Sequence, residues 1–128
     1  MSAAALRNRY LGDTVSTASP QRLLVMLYDR LALDLERAET ATAAGDRELS
    51  NELLQHAQEI VQELQSSLQI DSWEGAPRLS ALYTWLHGEL VKANIRQNAR
   101  IVADCRKVVE PLQDAWRAAA ASLASSPE

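Results

Sequence analysis

The sequence predicts an all-α protein, an antiparallel four-helix bundle preceded by a short N-terminal cap segment, and three observations lead there. Apolar residues recur at three- and four-residue intervals in four successive stretches, the spacing that lines one face of a helix. Ala and Leu are abundant, Phe is absent and aromatics make up 5% of the chain, the profile of a helix-rich protein. Only four Gly and four Pro interrupt the pattern, and neither strand-like alternation nor an internal repeat is present.

The first helix is expected over about 20–44. Ser19 is a residue that caps a helix start, and Pro20 suits the first helical position because its missing N–H has no partner there. Leu24, Leu27, Leu31, Leu35 and Ala38 form its core face, while the run from Leu23 to Tyr28 is apolar almost all the way round. Gly45 can close the helix in the left-handed conformation, and Asp46 can cap the next.

The second helix, about 47–70, carries Leu49, Leu53, Ala57, Ile60, Leu64 and Leu68 on one face, with Leu54 and Val61 beside it. Residues 71–77 read as a loop with Gly75 and Pro77 as breakers. The third helix holds Leu79, Leu82, Leu86, Leu90 and Ala93 and ends between Asn94 and Asn98. The fourth holds Ile101, Cys105, Val108, Leu112 and either Ala115 or Trp116. Four helices of roughly 30–37 Å joined by short connections make an antiparallel bundle. Residues 1–18 are then an arm or cap, 19–121 the bundle, and 122–128 a frayed tail.

Composition narrows the function. A chain of 128 residues supports one domain with a real core, and an apolar content of 47% argues against disorder throughout. The single Cys105 excludes an internal disulfide and fits a reducing compartment. Residues 1–18 lack the pattern of a signal peptide, and no apolar run reaches the ~18 residues needed to cross a bilayer, so a cytoplasmic protein without membrane insertion is expected. A net charge of −4 speaks against nucleic acid as the main partner.

That charge is uneven: between Asp46 and Asp71 six acids face Arg47 alone, whereas between Lys92 and Arg117 six bases face three acids. Solvated faces are the plain explanation, and a partner that meets charges of both signs is the sharper one.

No catalytic or metal constellation stands out. His56 and His87 lie on different helices, Cys105 is alone, and the Glu59–Glu63 pair lacks a Glu-x-x-His companion, so no metal and no cofactor are expected. Cys105 sits on an apolar stripe, where a small buried hydrophobe is the expected role. A phosphate-cradling glycine loop is missing, and an enzyme is not supported. A phosphorelay at His87 is an alternative, weakened because Lys92 lies five residues on and Glu89 adds negative charge.

The remaining clue is apolar surplus. Once Leu24, Leu27, Leu31 and Leu35 have filled the core, Val25, Met26, Tyr28, Ala32 and Leu33 are left over, and Tyr83 and Trp85 flank the third helix likewise. A groove for a partner helix, a helical piece from the arm, or the seam of a homo-oligomeric adaptor would each cover them.

The ordered fragments Val15-Ser16-Thr17-Ala18-Ser19-Pro20, Leu27-Tyr28-Asp29, Leu79-Ser80-Ala81-Leu82-Tyr83 with Trp85, Leu90-Val91-Lys92-Ala93-Asn94 and Ala115-Trp116, with Tyr10 upstream, resemble the FliS-type flagellar secretion chaperones over about residues 6–120. Arg30 stands where that family often has Gly, the loop from Trp73 to Pro77 looks shorter than usual, and Arg78 replaces a common Asn.

The resemblance implies a cytoplasmic chaperone that binds the disordered C-terminal segment of flagellin, prevents premature polymerisation and delivers its client to the export apparatus. It implies that the arm, through Tyr10 with Leu6 beside it, occupies part of the groove before the client arrives. On that expectation Leu23, Met26, Leu27 and Tyr28 line the groove, with Leu82, Tyr83 and Leu86 opposite, and Asn94 and Arg100 cap or clamp the client. Leu64, Leu112 and Trp116 are expected to be structural only, and the protein a monomer binding one client.

Overall fold

The computed structural model describes residues 20–69, 71 and 73–125, with side chains as far as Ser122. The expected Ser19 cap, the arm with Leu6 and Tyr10, and the end of the tail lie outside these residues. The described chain forms four helices: α1 Pro20–Ala43, α2 Arg47–Ser67, α3 Ala76–Arg96 and α4 Ala99–Ser125. The segment expected as a tail from residue 122 is thus helical as far as Ser125.

Each helix packs on the next, and α4 returns to α1, so the ring order is α1-α2-α3-α4 and α1 stands diagonally across from α3. Side-chain pairs give the directions. Between α1 and α2, Thr42 meets Ser50 and Asp34 meets His56; between α2 and α3, Asn51 meets Asn94 and Gln62 meets His87. Between α1 and α4, Asp29 meets Arg117 and Glu39 meets Arg106. In every case one number rises as the other falls, which makes each neighbouring pair antiparallel.

The two short connections are built by local chemistry. Gly45 adopts φ +75°, and the Gly45 and Asp46 amides donate to Thr42 and Ala41 carbonyls at 3.1 and 2.9 Å, closing α1. The Asp46 carboxylate then accepts the Leu49 amide at 3.2 Å and opens α2. At the other tight turn Gln97 takes the left-handed conformation, with φ 51°, and the Asn98 amide reaches back to the Ala93 carbonyl. The Asn98 side chain accepts the Arg100 amide at 2.9 Å and caps α4. Pro77 does not break a helix as expected. It lies in the first turn of α3, where a missing N–H is harmless.

The core differs from expectation at several positions, among them the following. Tyr28 and Ala32, counted as surplus, are buried, whereas Leu24, counted as core, is only half-buried. Leu24 sits in the first turns of α1, near the edge of the bundle, where fewer neighbours remain to cover it. On α4 the buried positions are Val102, Cys105 and Val109, and Val108 is half-buried on the flank. On α2, Leu49 is 42% exposed rather than part of the core.

Candidate functional site: an apolar pocket at the open end of the bundle

Because the helices alternate in direction, the start of α1, the end of α2, the start of α3 and the end of α4 share one end of the bundle. A pocket of about 490 Å³ opens there. Pro20, Gln21 and Leu24 contribute from α1, Leu64 and Ser67 from the end of α2, and Leu68 and Gln69 from the residues that follow it. Leu79 and Tyr83 of α3 and Trp116 of α4 complete the wall.

This end is less tightly finished than the other. Gly75 stands before α3 with no side-chain cap, and α2 runs out into extended backbone at Leu68. The Trp73 ring packs so close to Gly75 that a Cβ there would meet it at 1.8 Å.

Beneath the pocket the two tyrosines make a hydroxyl contact that crosses the bundle diagonally: Tyr28 Oη and Tyr83 Oη are 2.6 Å apart. Their rings are 1% and 2% exposed, and Trp116 tilts over Tyr28 at a centroid distance of 6.5 Å. Burial pushes the Tyr28 hydroxyl above its ordinary pKa, partly offset by its hydrogen bonds to Tyr83 and Trp116. Tyr83 is raised by burial and further by its neighbour Tyr28. Both phenols are therefore neutral, and the pair satisfies two polar groups inside an apolar floor.

The structure divides the residues expected to line a groove. Leu27, Tyr28, Tyr83 and Leu86, expected to line the groove, are interior: α1 and α3 are diagonal partners and meet through the core. Tyr83 alone of these reaches the pocket wall. Leu23, Met26 and Leu82 are half-buried and do not line it. Asn94, expected as a client clamp, lies toward the other end and is already engaged, donating to Asn51 at 2.8 Å and accepting from Gln97 at 3.2 Å. Arg100 is exposed in the first turn of α4.

Leu64 and Trp116, expected to be structural only, turn out to line the pocket, together with Leu24, Leu68 and Leu79. The signal that finds them is topological, since up-and-down order brings these four helix ends together whatever the local sequence pattern.

Nothing in the described residues assembles catalytic chemistry. No group of three or more His, Cys, Asp or Glu among them is placed to hold a metal ion, and no described helix is long and apolar enough to cross a membrane. His56 pairs with the fully buried Asp34, whose other carboxylate oxygen lies 3.1 Å from Arg30 in an ion pair rather than an aligned hydrogen bond. His87 is half-buried and accepts from Gln62 Nε2 at 3.2 Å. Cys105 is fully buried, and burial, with Glu89 and Asp104 nearby, pushes its thiol up to about 12, the opposite of an activated nucleophile.

The family model described as flagellar protein FliS matches residues 2–123. A flagellar secretion chaperone FliS of Bacillus subtilis is 33% identical over 118 residues, covering 90% of this chain and 88% of that protein. Its Salmonella typhimurium counterpart is 31% identical over 107 residues, covering 82% and 79%. A crystal structure of a bacterial flagellar chaperone superposes with a TM-score of 0.74 at 20% identity, covering 93% of this chain and 98% of that one, and so shares the fold. With the family model spanning nearly the whole chain and relatives above 30% identity, the chain belongs to the FliS family of flagellar proteins.

Proposed function

We propose that this chain is a cytoplasmic export chaperone whose client is the disordered C-terminal segment of flagellin, bound one to one by a monomer and handed to the flagellar export apparatus. The apolar pocket at the open end carries this reading. It offers about 490 Å³ walled by Leu24, Leu64, Leu68, Leu79, Tyr83 and Trp116, and Pro20, the first described residue, also lines it. A client anchored there by a few large apolar side chains gains roughly 25 cal/mol per Å² of apolar area removed from water, less the cost of ordering. Family membership and the names of the relatives point to the same role. The arm, with Leu6 and Tyr10, competes for the pocket until the client displaces it.

The test is calorimetric titration of the intact protein with a peptide of the last ~40 residues of its own organism's flagellin, followed by circular dichroism. Saturation at one equivalent with a gain of helix and a negative heat-capacity change is the expected result. Leu68→Ser, beyond the last turn of α2, should weaken binding by about tenfold or more, equivalent to about 1.4 kcal/mol, while melting as a helical bundle. Binding unchanged by Leu68→Ser and Leu24→Ser together would remove the pocket from the mechanism, and no binding at all would remove flagellin.

A further inference from the structure

A second apolar groove lies away from this pocket, between the later half of α1 and the first turns of α2. Its volume is about 650 Å³, larger than the open-end pocket. Ala41 and Leu53, both buried, form its floor. Leu33 and Leu49 stand at its sides, 37% and 42% exposed, and account for two of the large apolar side chains that this bundle leaves in water. A lone exposed leucine means little, but two facing one cavity over a floor of buried apolar side chains make a slot for apolar anchors. From Leu33 to Ala44 the slot runs along α1 for roughly 16 Å, about three turns of helix.

Charge selects the occupant. Glu36 and Asp46 line the groove against Arg37, the one base among its lining residues, and Glu52 follows Leu49 by one turn on the same flank of α2. Around the start of α2, which supplies this wall, Asp46, Glu48 and Glu52 outnumber Arg47 over residues 46–53. An acidic rim around an apolar slot favours a helix whose apolar stripe is flanked by Lys or Arg and repels an acidic one. Leu33 stands roughly 20 Å along the α1 axis from Pro20, far enough for both sites to be filled at once.

We propose that the α1–α2 groove is a second docking site, for a basic amphipathic helix of a protein partner other than the client held at the open end. The site requires nothing of the flagellin reading and stands or falls separately.

The probe is a designed, fluorescently labelled peptide of about four turns with leucines at helical i, i+4, i+7 and i+11 positions and lysines on both flanks, beside an isomer with glutamates in their place. The intact protein should bind the lysine peptide saturably and the glutamate isomer at least tenfold more weakly, with the difference shrinking as salt is added. Leu33→Ser with Leu49→Ser, both at exposed positions, should weaken the lysine peptide at least tenfold without changing affinity for the flagellin peptide.

Equal binding of the two isomers, or of the lysine peptide to the double variant, would overturn the proposal. So would competition between the lysine and flagellin peptides, which makes the two sites one. A wild-type dimer in sedimentation that the double variant converts to monomer would assign the groove to a second copy instead. Failure of the flagellin peptide alone counts only against flagellin as the client, because saturable binding of the lysine peptide is read on its own.

Discussion

The two ends of this bundle are built on different principles. At one end both connections are tight: Gly45 and Gln97 turn the chain in the left-handed region, and Asp46 and Asn98 cap the helices that follow. Thr42 donates to the Ala38 carbonyl at 2.6 Å and receives Ser50 at 2.7 Å, so even the buried hydroxyls there are paired. At the other end α3 starts without a side-chain cap, α2 trails into extended backbone, and a pocket remains. At the closed end the chain satisfies its own backbone groups and leaves apolar surface only on the α1–α2 flank, whereas at the open end the pocket lies among residues of all four helices.

The tyrosine pair offers the strongest way to break that division. Tyr28→Phe strands the Tyr83 hydroxyl, which pairs with Tyr28, in an apolar floor and should cost about 1–3 kcal/mol in urea unfolding. Tyr28→Phe with Tyr83→Phe removes both polar groups and should cost clearly less than the two single changes added together. Strict additivity would mean that the 2.6 Å contact contributes nothing specific.

At the closed end Gly45→Ala meets no steric obstacle but forces a side chain into the left-handed region, and about 1–2 kcal/mol of stability should be lost. Asp46→Ala removes the cap of α2 and should cost about 1 kcal/mol. Neither change should alter affinity for the flagellin peptide, and a tenfold loss in either would show that the two ends are not separable.

A further effect is set by pH. Burial raises the Cys105 thiol from 9.0 to about 12, so the unfolded chain releases this proton first and stability falls as pH climbs from about 9 toward 12. Tyr28 and Tyr83, also raised, add to the loss above pH 10. Urea midpoints at about pH 8 and pH 10.5 should drop more in the parent than in Cys105→Ala; an identical drop would mean that the thiol ionises freely in the folded state.

What the sequence makes legible follows the range of the interaction. Gly45-Asp46 is readable because a left-handed closure and a side-chain cap involve only residues within one turn. The four helices are readable because a stripe repeats along each. Exchange of Leu24 for Tyr28 in the core is not, since both lie within the same apolar arc and only the end of the bundle decides which is covered. Val108 and Val109 differ by 100° around α4, and only the packing of neighbouring helices decides that Val109 is the one buried. The pocket joins residues from Leu24 to Trp116, a relation carried by no local pattern.

Pro111 gives α4 two unequal halves. Without an N–H it leaves the Lys107 carbonyl without its helical donor, and the helix continues past that missing rung. Before it, Val102, Cys105 and Val109 are fully buried; after it, no residue through Ser122 is, although Asp29 still takes hydrogen bonds from Gln113 at 2.8 Å and Arg117 at 2.6 Å. A stretch with no fully buried side chain is expected to open at a lower free energy than the whole bundle. Amide exchange should accordingly run faster across 113–122 than across 102–110. Trp116 rides on that half of α4, so faster exchange there would mean that one wall of the open end can part from its neighbours without melting the bundle.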